Sequence, residues 1–428
     1  MAKHNDFSKG PVWKCIVVQA VPLMIAQLVQ LLYNVVDRIY LGHMGGSSLA
    51  LTGVGLTFPV ITLIMAFTAL FGMGGTPLFS MTRGAGDEDR AGQILGNSFA
   101  LLLLSSGVLM AAGYLFSEPI LFAFGASPES FVYAKEYLDI YLLGTLFSMT
   151  ATGLNGYINA QGYPKTGMLS IVIGAVSNII LDPIFIFVFD MGVAGAALAT
   201  IISQTISAIW VLRFLFGKSV AIPLRIRNIR ICRDITRDIF RLGTANFIMQ
   251  GTNCLVQVAC NATLRNYGGD TYIGIMTVIN SVREIFSLPV TGLTQGAQPV
   301  ISFNYGAKEY RRVRSGIAFT SVVGFIFTTV CLVLVLVYTF IPSVMIKLIL
   351  WALSYVLMFW AIFRSLSRNT YRRYQENRKF WQFFERLKDR QHRYFDCPKC
   401  RQTVRVPRGK GKISISCPKC KEKFTRNT

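Results

Sequence analysis

Charge is what this sequence lacks. Asp, Glu, Lys and Arg supply only 15% of its 428 residues, where a soluble domain carries about a quarter; an ordinary cytosolic globule is excluded. Acids are rarer than bases, 21 against 43, so the net charge is +22. Nine cysteines in 428 residues are too few for a secreted disulfide scaffold, and 52% apolar residues exclude a disordered chain. The charge that exists is placed unevenly. Residues 364–428 hold 20 Lys+Arg against 5 Asp+Glu, a net of +15, which leaves +7 for the first 363. A long apolar body, with a mean hydropathy of +0.46 over the whole chain, is joined to a short basic tail.

A bilayer-spanning helix needs roughly 20 mostly apolar residues. Runs of that kind lie near 15–40, 47–74, 91–116, 131–160, 164–189, 192–216, 239–264, 271–295, 314–340 and 344–363, the last being the weakest. Ten in succession predict an all-α polytopic membrane protein. Lys3, Lys9 and Lys14 precede the first run; that run continues past any small-residue cleavage site and reads as a retained span, not a signal peptide. Loop charge sets orientation. Segment 217–241 holds Lys218, Arg225, Arg227, Arg230, Arg233, Arg237 and Arg241, and the loop near 306–314 holds Lys308, Arg311, Arg312 and Arg314. Both follow even-numbered spans, as does the loop from Arg83 to Arg90, whereas odd-numbered spans lead into loops almost free of cations. Both termini are therefore expected in the cytoplasm.

The chain repeats itself. MGGTPLFSMTRGAGDEDR at 73–90 resembles QGAQPVISFNYGAKEYRR at 295–312, with Pro77 on Pro299, Ser80 on Ser302, Gly84-Ala85 on Gly306-Ala307 and Arg90 on Arg312, all at an offset of 222. A two-residue gap upstream sets Asp37 opposite Asn261. Both copies run toward the cytoplasm, so the repeat is parallel; transporters built this way place substrate between two lobes near the midplane.

With PLMIAQLVQLLYNVVDRIYLGHMG, NGYINAQGYPKTGM, SNIILDPIFIF and GLTQGAQPVISFNYGAK, the sequence resembles the multidrug and toxic compound extrusion (MATE) family, in its bacterial DinF/MepA-like branch, over residues 1 to about 348. The resemblance implies two six-helix lobes around a drug cleft, Na⁺ or H⁺ as coupling ion, small organic drug-like substrates, a monomer in the bacterial inner membrane, and no enzyme activity or catalytic residues. After Lys347 the family pattern is lost. The expected organisation is a first lobe of six spans over 1–216, a basic loop at 217–238, an incomplete second lobe of about four spans over 239–363, a basic amphipathic helix at 364–396 and a zinc ribbon at 397–428. Such a join reads as truncation, recombination or assembly error in preference to a natural fusion. On that account the competing function is a non-transporting, membrane-tethered zinc-ribbon protein.

An ionisable side chain within a span is costly and points to function. Asp37 shares a helical face with Tyr33 and Asn34, and Asn178 shares one with Asp182. Asn155 and Thr200 add neutral oxygens from the fourth and sixth spans. Pro22, fifteen residues before Asp37, removes a backbone hydrogen bond and permits a bend. Two carboxylates with amide and hydroxyl oxygens suit a hard cation or a proton. The resemblance implies that Asp37, Asn155, Asn178, Asp182 and Thr200 form one polar coupling cluster. The alternative is that they tie helices together or lie at the water interface. Asp139 and Glu284 are weaker candidates, Glu284 because Arg283 adjoins it. The seventh span offers Gln250, Asn253, Gln257 and Asn261 but no acid, so a carboxylate site in the second lobe is not expected.

The tail holds Cys397-Pro-Lys-Cys400 and Cys417-Pro-Lys-Cys420, separated by sixteen residues that alternate like a strand, a Pro/Gly turn and a strand. Four thiolates at this spacing suit tetrahedral Zn²⁺ in a reducing cytosol. Cys15, Cys232, Cys254, Cys260 and Cys331 show no grouping. Tyr371, Tyr374, Phe380, Trp381, Phe384 and Leu387 recur at helical spacing among cations, a pattern that attracts anionic membrane lipid; nucleic acid is a weaker candidate partner for the tail and an unlikely one for the body, and a solvated linker is the bland reading.

Overall fold

The structure is a computed structural model. It describes residues 5–42, 47–217 apart from 125 and 127, 220–340, and 392–427 apart from 401, 402, 408, 410 and 419. Two compact units are present, divided between Val337 and Tyr338.

In the first unit the apolar runs form long helices. These are α1 (Val12–Gly42), α2 (Ser47–Gly84), α3 (Glu88–Ala123), α4 (Pro128–Leu143), α5 (Thr145–Ala160), α6 (Pro164–Pro183), α7 (Gly192–Leu215), α8 (Arg233–Gly306) and α9 (Tyr310–Phe340). Local chemistry sets several ends. Asp87 caps α3 by accepting from the Arg90 amide at 3.0 Å, and Glu88 and Asp89 place negative charge on its first turn. Pro164 opens α6, where no intrahelical partner for its nitrogen is needed. Among the described residues six helices are long and apolar enough to cross a membrane: Val12–Asp37, Gly53–Gly84, Glu88–Ala123, Pro164–Val188, Gly192–Leu215 and Tyr310–Val333.

Three segments differ from the sequence expectation. The run at 131–160 is broken at Gly144 into α4 and α5; a side chain there would strike Ile201 of α7. The run at 164–189 changes character at Pro183, after which Ile184–Val188 form a π-helical turn, because proline supplies no amide to the α-helical ladder. The two spans expected at 239–264 and 271–295 lie on one helix, α8, which continues through Gly268 and Gly269. Glycine costs only about 1 kcal/mol against alanine inside a helix, so the pair does not force a turn. At ~1.5 Å per residue α8 is about 110 Å long, against a hydrocarbon core of ~30 Å, so only part of it can lie in lipid. The expected span at 344–363 lies outside the described residues.

Most of the buried apolar core joins α2, α3, α4, α5 and α7 through Phe79, Ile94, Leu95, Leu102, Leu138, Leu142, Tyr157 and Val211. A smaller core joins the segment before α1, α1 itself and the end of α8 through Phe7, Ile16, Ala20, Ala297 and Val300. The repeat copies meet reciprocally. A Cβ on Gly84 would collide with the carbonyl of Phe303, and one on Gly306 with the carbonyl of Met81; both pairings relate residues 222 apart, Gly84 to Gly306 and Met81 to Phe303. The contact is thus close to two-fold, as a parallel repeat requires.

In the second unit, strands β1 (His392–Asp396) and β2 (Thr403–Pro407) pair antiparallel, as do β3 (Lys412–Ser416) and β4 (Lys423–Asn427). Residues 392–396 are therefore strand, not the end of the helix expected over 364–396; the aromatic-rich part, 371–387, lies outside the described residues. The strands expected on either side of the Pro/Gly turn form, but each pairs across its own CxxC knuckle and not with the other.

Candidate functional site

Asp182 is fully buried at the end of α6, next to Pro183 and the π-helical turn. One turn earlier, Asn178 donates through Nδ2 to Asp182 Oδ1 at 3.2 Å and to Thr200 Oγ1 of α7 at 3.4 Å. Thr200 in turn donates to the Ala196 carbonyl at 3.0 Å. The i, i+4 spacing of Asn178 and Asp182 sets those two side chains together on α6, and Thr200 reaches them from α7. Two acceptors are left over: Asp182 Oδ2 and Asn178 Oδ1 are buried with no hydrogen-bond partner among the described residues. Asp37 of α1 bears electrostatically on Asp182, and both bear on Tyr33.

A cavity of about 30 Å³ adjoins the cluster, lined by Tyr33 of α1, Gly174 and Asn178 of α6, and Thr200, Ser203 and Ser207 of α7. A cavity of that size has room for water. Ser203 and Ser207 escaped the sequence reading. Their signal was present: 200, 203 and 207 fall on one helical face inside an apolar span. Gly174 leaves the room, since a Cβ there would collide with Ser207 Oγ.

Asn155 does not join this group. Its amide donates to the Gly167 carbonyl at 2.9 Å and to Ser170 Oγ, and its Oδ1 accepts from Asn159 at 2.9 Å. Gly167 precedes Asn178 by eleven residues on α6, about 16 Å along the helix. Small residues at the start of α6 draw Asn155 to that level. Pro22 lies buried within α1, which remains one helix through it. Asp139 pairs with Lys135 at 3.4 Å, one turn away on α4. The side chains of Asn34, Gln257, Asn261 and Glu284 lie outside the described set.

In the second unit the Sγ atoms of Cys397, Cys400, Cys417 and Cys420 all lie within 4.8 Å of one another. Cys397 is 3.5 Å from Cys420, and Cys400 is 3.5 Å from Cys417. Four sulfurs ~2.3 Å from a tetrahedral Zn²⁺ would stand about 3.8 Å apart, so the donor set fits that ion and leaves no open coordination position. Each hairpin turn carries one knuckle. Cys417 N–H donates to the Glu422 carbonyl at 2.9 Å, and Lys399 pairs with Glu422 at 3.3 Å across the two knuckles.

The MatE family profile matches residues 22–184 and 247–362. The match runs past Lys347, where the sequence reading placed the departure. Multidrug export protein MepA of Staphylococcus haemolyticus is 28% identical over 334 residues, 77% of this chain and 73% of that protein. MepA of Staphylococcus aureus is 27% identical over 305 residues, 71% of this chain and 67% of that protein. A MOP superfamily transporter from Pyrococcus furiosus superposes with a TM-score of 0.73 at 27% identity, covering 79% of this chain and 75% of that one. A multidrug resistance MATE transporter in an outward-facing conformation superposes with a TM-score of 0.72 at 27% identity, over the same shares of each chain.

Proposed function

The chain belongs to the MatE family, and from that premise we propose that it is a Na⁺- or H⁺-coupled exporter of amphipathic, often cationic, drug-like compounds. One observation carries the reading most: a buried carboxylate, Asp182, keeps one oxygen unpartnered beside a second unpartnered acceptor on Asn178. A buried acceptor without a donor costs about 1–3 kcal/mol. Proton or cation binding relieves that cost, and a group that relieves it reversibly is suited to coupling.

In this reading Asp37 and Asp182 carry the coupling charge, and Asn178 and Thr200 orient the Asp182 carboxylate. Tyr33 joins α1 to the same cavity, so occupancy of the cluster acts on the helix that Pro22 lets bend. Ligand and coupling ion shift the balance between outward and inward forms only through unequal affinity for the two. Asn155 has a different task here, holding α5 to the start of α6. The proposed organisation is a first lobe over 1–216 and a second over 239–363, joined by the basic segment 217–238, with both ends of the chain in the bacterial cytoplasm. The four cysteines at 397–420 hold one structural Zn²⁺ in a ribbon that begins at His392, a zinc module carried by the transporter.

The test is efflux driven by a cation gradient, with ethidium as the probe. Asp182→Asn and Asp37→Asn should each reduce it to the background of cells lacking the protein, at unchanged membrane abundance. Asp139 also keeps one buried oxygen unpartnered among the described residues, but its other oxygen is neutralised by Lys135 one turn away, so Asp139→Asn should export like the parent. Parental efflux by Asp182→Asn would overturn the coupling role.

A further inference from the structure

The segment 5–11, which leads into α1, is tied to both copies of the repeat. The Asn5 amide donates to the Gly162 carbonyl at 2.9 Å, in the turn between α5 and α6. At the other end Arg312, from the start of α9, donates through Nη1 to the Gly10 carbonyl at 2.8 Å, through Nη2 to the Phe7 carbonyl at 2.8 Å and through Nε to Asn304 Oδ1 at 2.7 Å. Asn304 adds a bond to the Phe7 carbonyl at 3.3 Å. Phe7 is 0% exposed. Its ring meets Phe303 edge-on at 5.7 Å, and the Arg83 guanidinium sits 5.6 Å from Phe7 and 5.3 Å from Phe303. Arg83 is itself anchored on the Ala160 carbonyl at 2.7 Å. The first copy of the repeat therefore supplies Arg83 and the Gly162 turn, and the second supplies Phe303, Asn304 and Arg312.

The corresponding segment before α8 is held in another way. Asn97 of α3 donates to the Cys232 carbonyl at 3.4 Å, and the backbone of Asn228 lies so close to α3 that any side chain at Gly96 would collide with it. That arm is locked by backbone contact beneath glycines. Segment 5–11 is gripped from the second copy by the fork of one arginine and by one aromatic side chain in a slot, both of which can let go by rotamer changes. Its own turn is preformed: Ser8 donates hydroxyl and amide to Asp6, holding that carboxyl down at about 2, and Lys9 pairs with it at 3.3 Å.

We propose that segment 5–11 is a strap: it fastens the two repeat copies on the face assigned above to the cytoplasm and must release before they part there. The transport role rests on the alternating-access reading of the previous section; the fastening itself does not. The structure contains its own reporter. Cys15, 5% exposed, lies beneath the strap with Sγ 3.4 Å from the Lys9 carbonyl and 3.7 Å from that of Asp6.

The experiment uses the full chain in native membranes, with N-ethylmaleimide labelling followed cysteine by cysteine. Arg312→Gln, which loses hydrogen bonds from a charged group, and Phe7→Ala, which empties a buried aromatic slot, should each speed labelling of Cys15 by about tenfold or more. Labelling of Cys254 and Cys331 should not change. Unchanged Cys15 labelling in both variants overturns the strap. A second arm does not depend on how those variants fold. Ser8→Cys with Glu309→Cys, on the rim of one shared cavity, is joined by a short bis-maleimide linker. Linked protein should lose ethidium efflux that the unlinked double variant retains; full efflux when linked shows that the strap need not release and overturns the transport role. If neither the parent nor the unlinked chain exports, the transport reading fails, and Cys15 labelling alone decides the fastening.

Discussion

At the scale of single residues, Asp182 and the four tail cysteines present the same problem in two solvents. Asp182 Oδ1 is served by Asn178 while Oδ2 is not, on a helix long and apolar enough to cross a membrane. Cys397 and Cys417 are each 1% exposed, with two further thiols against them. Thiols packed at 3.5 Å give little cohesion of their own, and among the described residues Val406 and Ile415 are the buried aliphatics of the hairpins. The proposed metal ion would supply what that core lacks, since structural Zn²⁺ contributes roughly 10–16 kcal/mol of apparent binding energy at neutral pH. The full chain should therefore carry one zinc, seen by native mass spectrometry and lost with chelator. Cys400→Ser removes one of four ligands and should leave less than one zinc per chain, with faster proteolysis between 392 and 427. No zinc in the metal-loaded parent, or a Cys397–Cys420 disulfide in protein taken from the cytoplasm, would contradict the assignment.

Among elements, several helices approach closely where they carry glycine, and these contacts give a paired expectation. Gly84→Ala and Gly306→Ala each drive a methyl group into the backbone of the other repeat copy, an overpacking that costs about 1–3 kcal/mol. Gly107 of α3 and Gly324 of α9 have open space where a Cβ would go; alanine there should be neutral or add up to ~1 kcal/mol of helix propensity. Thermal melting in detergent checks both halves, and equal melting of all four variants would refute the reciprocal contact. Much of this level was legible beforehand. Long apolar runs gave α1, α2, α3, α6, α7 and α9, and the offset of 222 pointed to the pairing of Gly84 and Gly306 as equivalents. What was illegible was decided by tertiary contact. Gly144 breaks a span because α7 presses against it. The strands of the tail pair across their knuckles because the sulfurs converge there, a constraint that alternation of side chains does not encode. Asn155 bonds to the start of α6 and not beside Asp182 because residue type and span number fix the helix, not the depth at which the side chain finds its partners.

For the molecule as a whole, the uneven charge governs how the chain meets a membrane. Arg225, Arg227, Arg230, Arg233, Arg237 and Arg241 are all exposed on the segment between α7 and the first turns of α8. Moving such a segment through hydrocarbon is disfavoured by roughly 2.5–3.5 kcal/mol for each arginine at mid-membrane depth, and anionic lipid on the cytoplasmic leaflet attracts cations by about 1 kcal/mol apiece. Both effects act in one direction, and the loops after odd-numbered spans carry almost no cations to oppose them. Cys232, exposed within that arginine cluster, makes the consequence measurable without engineering. A membrane-impermeant maleimide should label Cys232 in inside-out vesicles and leave it unlabelled in intact spheroplasts, while a permeant maleimide labels it in both. Because α2 and α8 end on the same side in a parallel repeat, Arg311 and Arg314 should share that face, so Arg311→Cys should follow the same pattern. Labelling of Cys232 from the outer side would invert the topology. It would also carry the strap and the arginine segment to the opposite face of the membrane.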